Sequence, residues 1–226
     1  METPQEKATA EGYDRWAAFY DDSDPSTSLD EPFLLRHLRP FPRCRILDLG
    51  CGTGRYLRRL TGSDYRIIGV DLSRNMLARA RHQIAGGTHL RLVQASATCL
   101  PFRPESFDRV MSGLVLDHVA SAERLFDDVA AVLGRGGNAV MAAVHPEMQR
   151  MTGSDIEISR EDRLRIPGHV HEVADLLAAI RKAGLTVTAM EEPHVTAAML
   201  EHRPEWKRKI GRPALLLLAL AKLDRT

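Results

Sequence analysis

Cysteine is scarce: Cys44, Cys51 and Cys99 are the only three in 226 residues, and none has metal-ligand spacing. An odd count, with Cys51 inside a glycine-rich turn, points to reduced thiols in a cytosol. Net charge is nearly absent, at +1 with a pI near 7.8, so nothing demands a nucleic-acid or membrane partner. Long apolar runs are absent too. The best, Ala214–Leu220, is too short to cross a bilayer. METPQEKATAEG has no apolar signal core, which excludes export by that route and leaves a cytoplasmic expectation. There is no internal repeat and no low-complexity tract. What remains is 44% hydrophobic and 27% charged, ordinary for a globular chain, and its length suits one domain over 1–226.

The informative stretch is Arg45 to Leu60, RILDLGCGTGRYLRRL. A short apolar run, Ile46 to Leu49, crosses Gly50, Gly52 and Gly54 into a segment that suits a helix. Glycines there let the chain turn tightly and let a ligand approach bare backbone, and the helix start offers unpaired N–H groups. The spacing is G-x-G-x-G with Asp48 before it, not the G-x-G-x-x-G of dinucleotide binders. A carboxylate in that place repels a pyrophosphate and suits a ligand with an ammonium group. A second acid, Asp71, ends the next apolar run 21 residues after Gly50, where an α/β fold puts a carboxylate to accept both hydroxyls of a ribose.

Other elements follow from periodicity and punctuation. Residues 1–8 are polar and expected to fray. Tyr13, Trp16, Ala17 and Tyr20 share one helical face, and Asp21 to Pro25 reads as a loop. Asp30 is placed to cap a helix with Pro32 in its first turn, carrying Phe33, Leu34 and Leu38. Strands are expected at 66–70, 90–94, 107–112, 138–144 and 185–190, with 213–221 a buried strand or, less readily, a helix. Between them, Ser73 and Ser121 cap helices; the first carries Met76, Leu77, Ala80 and Ile84 and ends at Gly86–Gly87, and the second runs through Leu133. A further helix holds Val173, Leu176, Leu177 and Ile180. Residues 147–168 read as a long irregular loop, of the kind that usually carries function.

The glycine turn with Asp48 and Asp71, together with a later Leu100-Pro101-Phe102, resembles the class I S-adenosylmethionine-dependent methyltransferases. Within them it is similar to the small-molecule branch that includes the quinone-biosynthesis enzymes. The resemblance implies a Rossmann-like, seven-stranded, mostly parallel sheet with an antiparallel C-terminal hairpin and helices on both faces. It implies S-adenosyl-L-methionine as cofactor and a small-molecule methyl acceptor. It assigns the cofactor to Asp48, Gly50, Cys51, Gly52, Thr53 and Gly54, to Asp71 and Leu72, and to Met76 under the adenine. Ser96, Ala97, Ser112 and Gly113 follow on the later strands, with Tyr13 and Tyr20 folding over from a cap at 9–40. The family usually has Asp where this chain has Ser96, so contact with the adenine amine is weaker there, by about 1 kcal/mol.

A methyl transfer needs a base only where the acceptor is protonated. His118, after strand four, and His145, after strand five, are the candidates, each weighed against a merely structural histidine; His169 and His171 are solvated or reach in. No metal is expected. The basic segment Arg203 to Arg212 reads as a solvated face, and SGLVLDHV replaces the motif of the nucleobase-modifying enzymes. The 147–170 segment is expected to be a lid over the acceptor. Three other readings stand beside this one: an NAD-dependent oxidoreductase, an RNA methyltransferase and a non-catalytic cofactor-binding module.

Overall fold

The leucine run near the C-terminus is a strand, and its packing says why. Leu216, Leu218 and Leu220 enter one buried cluster, while Leu215, Leu217 and Ala219 enter the cluster on the opposite side. Only a period of two divides consecutive apolar residues between two faces in this way. The structure is a computed structural model and describes residues 3–22, 29–84, 89–153, 156–159, 164–201 and 204–223.

Seven strands form the main sheet: β1 (Arg45–Leu49), β2 (Arg66–Asp71), β3 (Leu90–Gln94), β4 (Phe107–Gly113), β5 (Leu133–Val144), β8 (Thr186–Glu191) and β9 (Leu215–Ala221). Their spatial order is β3-β2-β1-β4-β5-β9-β8; the first five run parallel, and β9 is antiparallel to both of its neighbours. The mostly parallel Rossmann-like sheet with its antiparallel C-terminal pair is thus the expected one. Helices α2 (Glu31–Leu38), α3 (Arg55–Leu60) and α4 (Arg74–Gln83) bury one face; α5 (Ala122–Val132) and α7 (Val173–Lys182) bury the other. Chain order reverses between β1 and β4, so a crevice opens at their carboxyl ends.

Four local expectations change. Helix α1 runs Pro4–Trp16, so residues 4–8 are helical and not frayed, because Thr3 and Glu6 form a capping box that satisfies two backbone N–H groups of its first turn. It stops at Trp16, and Tyr20 falls in a separate 3-10 turn, Tyr20–Asp22. Asp30 sits at the start of α2 but makes no capping bond; its carboxylate turns inward to Arg55 and Tyr56. Leu133 opens β5 instead of closing α5. The 147–168 loop is largely regular: α6 (Pro146–Thr152), then β6 (Ile156–Ser159) paired antiparallel with β7 (Leu164–Ile166). Ser23 to Pro25 and Gly86–Gly87 lie outside the described residues.

Helix α1 and β7 meet at Gly12. A Cβ there would lie 2.6 Å from Ile166 Cγ1, so the glycine permits a contact no other residue fits without a shift. Ile166 is fully buried in return.

Candidate active site

The turn after β1 begins where the sheet reverses. Gly50, Gly52 and Gly54 all have left-handed φ, at 69°, 54° and 87°. A Cβ on Gly52 would meet nothing within 4 Å, so this backbone borders open space. Asp71, at the end of β2, fastens the turn: its Oδ2 accepts from Gly52 N at 2.8 Å and its Oδ1 from Ser73 N at 2.8 Å. Burial pushes Asp71 up to about 6, against the backbone bonds from Ser73 and Gly52, which pull it down.

Asp48 lies beneath the same turn. It is fully buried, and both carboxylate oxygens lack a partner; Ser112 Oγ, one residue beyond its β4 register partner Met111, lacks one too. Burial pushes Asp48 up to about 8, with Arg55 opposing and Asp71 adding to the rise. Native structures seldom leave such groups unpaired without a ligand, an ion or a water.

A cavity opens beside the turn. Of the residues singled out from the sequence, Tyr13, Tyr20, Gly50, Gly52, Asp71, Leu72, Met76, Ser96, Ala97, Gly113 and His118 line it. Asp48, Cys51, Thr53, Gly54 and Ser112 do not; they form the layer behind that lining. Thr53 Oγ1 donates to Asp21 Oδ1 at 2.6 Å, and Cys51 is buried against the position of Gly69.

His118 is half-buried in the wall. Its Nδ1 faces the carbonyl of Pro167 at 3.1 Å, and a carbonyl can only accept, so the proton sits on Nδ1. Nε2 is left to accept the hydroxyl of Tyr13 at 2.8 Å. Burial lowers the His118 pKa, with the Pro167 bond opposing, so the ring stays neutral. Tyr13 stacks on Trp16, and Trp16 meets Tyr20 edge-on at 4.8 Å. Asp117 braces this turn from behind, accepting from Val144 N at 3.0 Å and Gln149 Nε2 at 3.2 Å.

His145 is elsewhere. It caps α6, its Nδ1 accepting from Glu147 N and its Nε2 facing Glu192 at 3.1 Å, and it does not line the cavity. His145 follows β5 where the chain turns into α6, and its ring is engaged by that cap and by Glu192. His171 bonds the carbonyl of Val119 at 2.8 Å, tying the segment after β7 to the His118 turn. Among the described residues, no group of three His, Cys, Asp or Glu could hold a metal, and no helix is long and apolar enough to cross a membrane.

The first turns of α1 were missed as site elements. Thr3, Gln5, Glu6 and Thr9 all line the cavity. The available signal was Thr3-x-x-Glu6, a capping box in a stretch otherwise too polar to suggest structure. A buried carboxylate without a partner, Asp48, and a second acid at the cavity, Asp71, beside bare backbone suit a cation that also carries hydroxyls.

The comparisons agree with this geometry. Residues 47–141 match the family described as "Methyltransferase domain". The chain is 28% identical to the malonyl-[acyl-carrier protein] O-methyltransferase of Erwinia pyrifoliae, over 88% of this chain and 75% of that one. It is 36% identical to the demethylmenaquinone methyltransferase of Clavibacter sepedonicus, over 47% of this chain and 43% of that one. The crystal structure of an S-adenosylmethionine-dependent methyltransferase from Mesorhizobium loti superposes with a TM-score of 0.70 at 27% identity, covering 88% of this chain and 99% of that one. Residues 47–141 thus carry a methyltransferase domain, and the chain is similar in sequence and fold to the class I S-adenosylmethionine-dependent methyltransferases.

Proposed function

We propose that this enzyme methylates a small, partly apolar molecule by in-line displacement within a single domain. The observation that carries the reading is Asp48, buried with neither oxygen partnered, beneath a bare Gly52 that Asp71 holds in place. Bound S-adenosylmethionine supplies a methyl carbon on a sulfonium, a leaving group that needs no proton. Asp71 holds the ribose hydroxyls on lone pairs that Gly52 and Ser73 leave open. The Gly50–Gly54 turn receives the methionine end, and Asp48 offsets its ammonium from below. Met76, buried at the head of α4, supports the adenine. Gly113 and the turn to His118 form the wall next to the acceptor.

His118 Nε2 takes the acceptor's proton where the acceptor is a hydroxyl. The support is its fixed tautomer: the Pro167 carbonyl keeps the proton on Nδ1, and a hydroxyl already donates to Nε2. His145 has no such support, being engaged by Glu192 and Glu147. Helix α1 and the β6–β7 hairpin, seated on each other at Gly12, close the acceptor side and exclude water. We place the enzyme in the cytosol, a reading supported by the free thiols of Cys44, Cys51 and Cys99. The small acceptor is supported by the kind of substrate named for the demethylmenaquinone relative.

Titration calorimetry tests the cofactor site. Asp71→Ala should weaken S-adenosylhomocysteine roughly tenfold or more, the worth of charge-assisted bonds to two hydroxyls. Unchanged affinity would end the ribose assignment. Incubating small-molecule extracts with labelled methyl donor, read by mass spectrometry, identifies the acceptor.

A further inference from the structure

The cavity extends from the glycine turn past Asp71 to the end of β3, where Leu72, Met76, Ala95 and Ala97 offer apolar contact. With the ribose on Asp71, as proposed above, the base reaches this end. An adenine brings an exocyclic amine that must find an acceptor once water is excluded. Among its lining side chains, the loop after β3 offers as polar groups just the hydroxyls of Ser96 and Thr98. Among the described lining residues just two carry a carboxylate, Asp71 and Glu6.

Glu6 comes from the first turn of α1 and is fixed at both oxygens. Oε2 accepts from Thr3 N at 2.7 Å, completing the capping box. Oε1 accepts from Ser96 Oγ at 2.5 Å and from Thr98 Oγ1 at 3.3 Å. Burial raises the Glu6 pKa, but the bonds from Ser96, Thr3 and Thr98 outweigh it and hold the group below the usual range. It is therefore an ionised acceptor already turned to the base end of the cavity, while both of its hydroxyl partners belong to the loop.

We infer that Glu6 reads the exocyclic amine of the cofactor's adenine, so that base recognition comes from the N-terminal helix and not from the β3 loop alone. The inference rests on the cofactor placement proposed above. One consequence is that α1 must be seated for the base to be recognised.

The test is discrimination between two ligands, S-adenosylhomocysteine and S-inosylhomocysteine, in which a carbonyl replaces the 6-amino group. Wild-type protein should prefer the amine by roughly tenfold or more, because a carbonyl facing a carboxylate has no proton to share. Glu6→Gln keeps the capping box, so α1 still forms. Its amide serves either ligand, and the preference should narrow to about threefold or less. Adding Ser96→Asp to Glu6→Gln returns a carboxylate to the same place and should restore the preference. Asp71→Ala should weaken both ligands and leave their ratio unchanged. A wild-type ratio near one, or a ratio unmoved by Glu6→Gln while S-adenosylhomocysteine still binds tightly, overturns the inference alone. If wild-type protein binds neither ligand, the cofactor placement falls with it.

Discussion

The two sides of the cavity are held in different ways. On the motif side, polar groups are buried and their exchange is costly. Asp30 is fully buried and takes both Arg55 and the hydroxyl of Tyr56, joining α2 to the helix after the glycine turn. On the cover side, α1 and the residues after it are fastened mostly through side chains that keep access to water: Asp14 to the buried Ser73 at 2.5 Å and to Asn75 N at 2.9 Å, Arg79 to the Ala18 carbonyl, Gln83 to Asp21. Bonds of that kind contribute little net free energy each and reopen readily. A methyltransferase needs this asymmetry, because the turn must stay formed while the cover admits two ligands and releases two products.

The largest effect should come from the motif side. Asp30→Ala leaves Arg55 without its carboxylate in a mostly buried setting and should cost about 3 kcal/mol or more in denaturant unfolding. A capping residue would cost about 1 kcal/mol. A loss that small would restore Asp30 to the capping role and erase the contrast between the two sides.

The next effect depends on pH. Asp48, Asp117 and Asp71 are pushed up to about 8, 7 and 6, chiefly by burial. The folded chain therefore binds more protons than the unfolded chain from about pH 4 to 8, and stability falls as pH rises through that window. Asp48→Asn should flatten the decline and raise Tm at pH 8 by about 2–4 °C, the size of a 1 kcal/mol gain in a chain of this length. The same change should weaken S-adenosylmethionine, since the ammonium loses its counter-charge. A variant that gains stability and loses no affinity would leave Asp48 without a ligand role.

The smallest effect tests the cover. Gly12→Ala improves helix propensity by about 1 kcal/mol and forces Ile166 away by a similar cost. Tm should move little, whereas limited proteolysis within 3–22 should quicken several-fold. If α1 instead melts with the whole domain, the cover is no looser than the motif side.

Legibility in the sequence follows the same division. The turn could be read because its constraints are backbone constraints: left-handed φ at Gly52 and Gly54, and an acid at the end of each neighbouring strand. The strands could be read from apolar runs. The cover could not, because polar fastening has no period. Residues 1–8 looked frayed, 147–168 looked irregular, and Asp30 looked like a cap, since its partners Arg55 and Tyr56 lie 25 and 26 residues away. His118 and His145 were equals in sequence, each following a strand. Only the closing of Tyr13 and Pro167 around one, and of Glu147 and Glu192 around the other, separates them.

By itself, then, the sequence determined the seven strands of the main sheet and the helices between them, the glycine turn and the two acids that flank it, because local conformation and hydrophobic period are written along the chain. Tertiary structure decided which side chains share the cavity, that Asp48 is buried without a partner and that Glu6 reaches Ser96 across 90 residues. Burial and long-range contact set the charge state and neighbours of a group, and neither exists until the chain has folded.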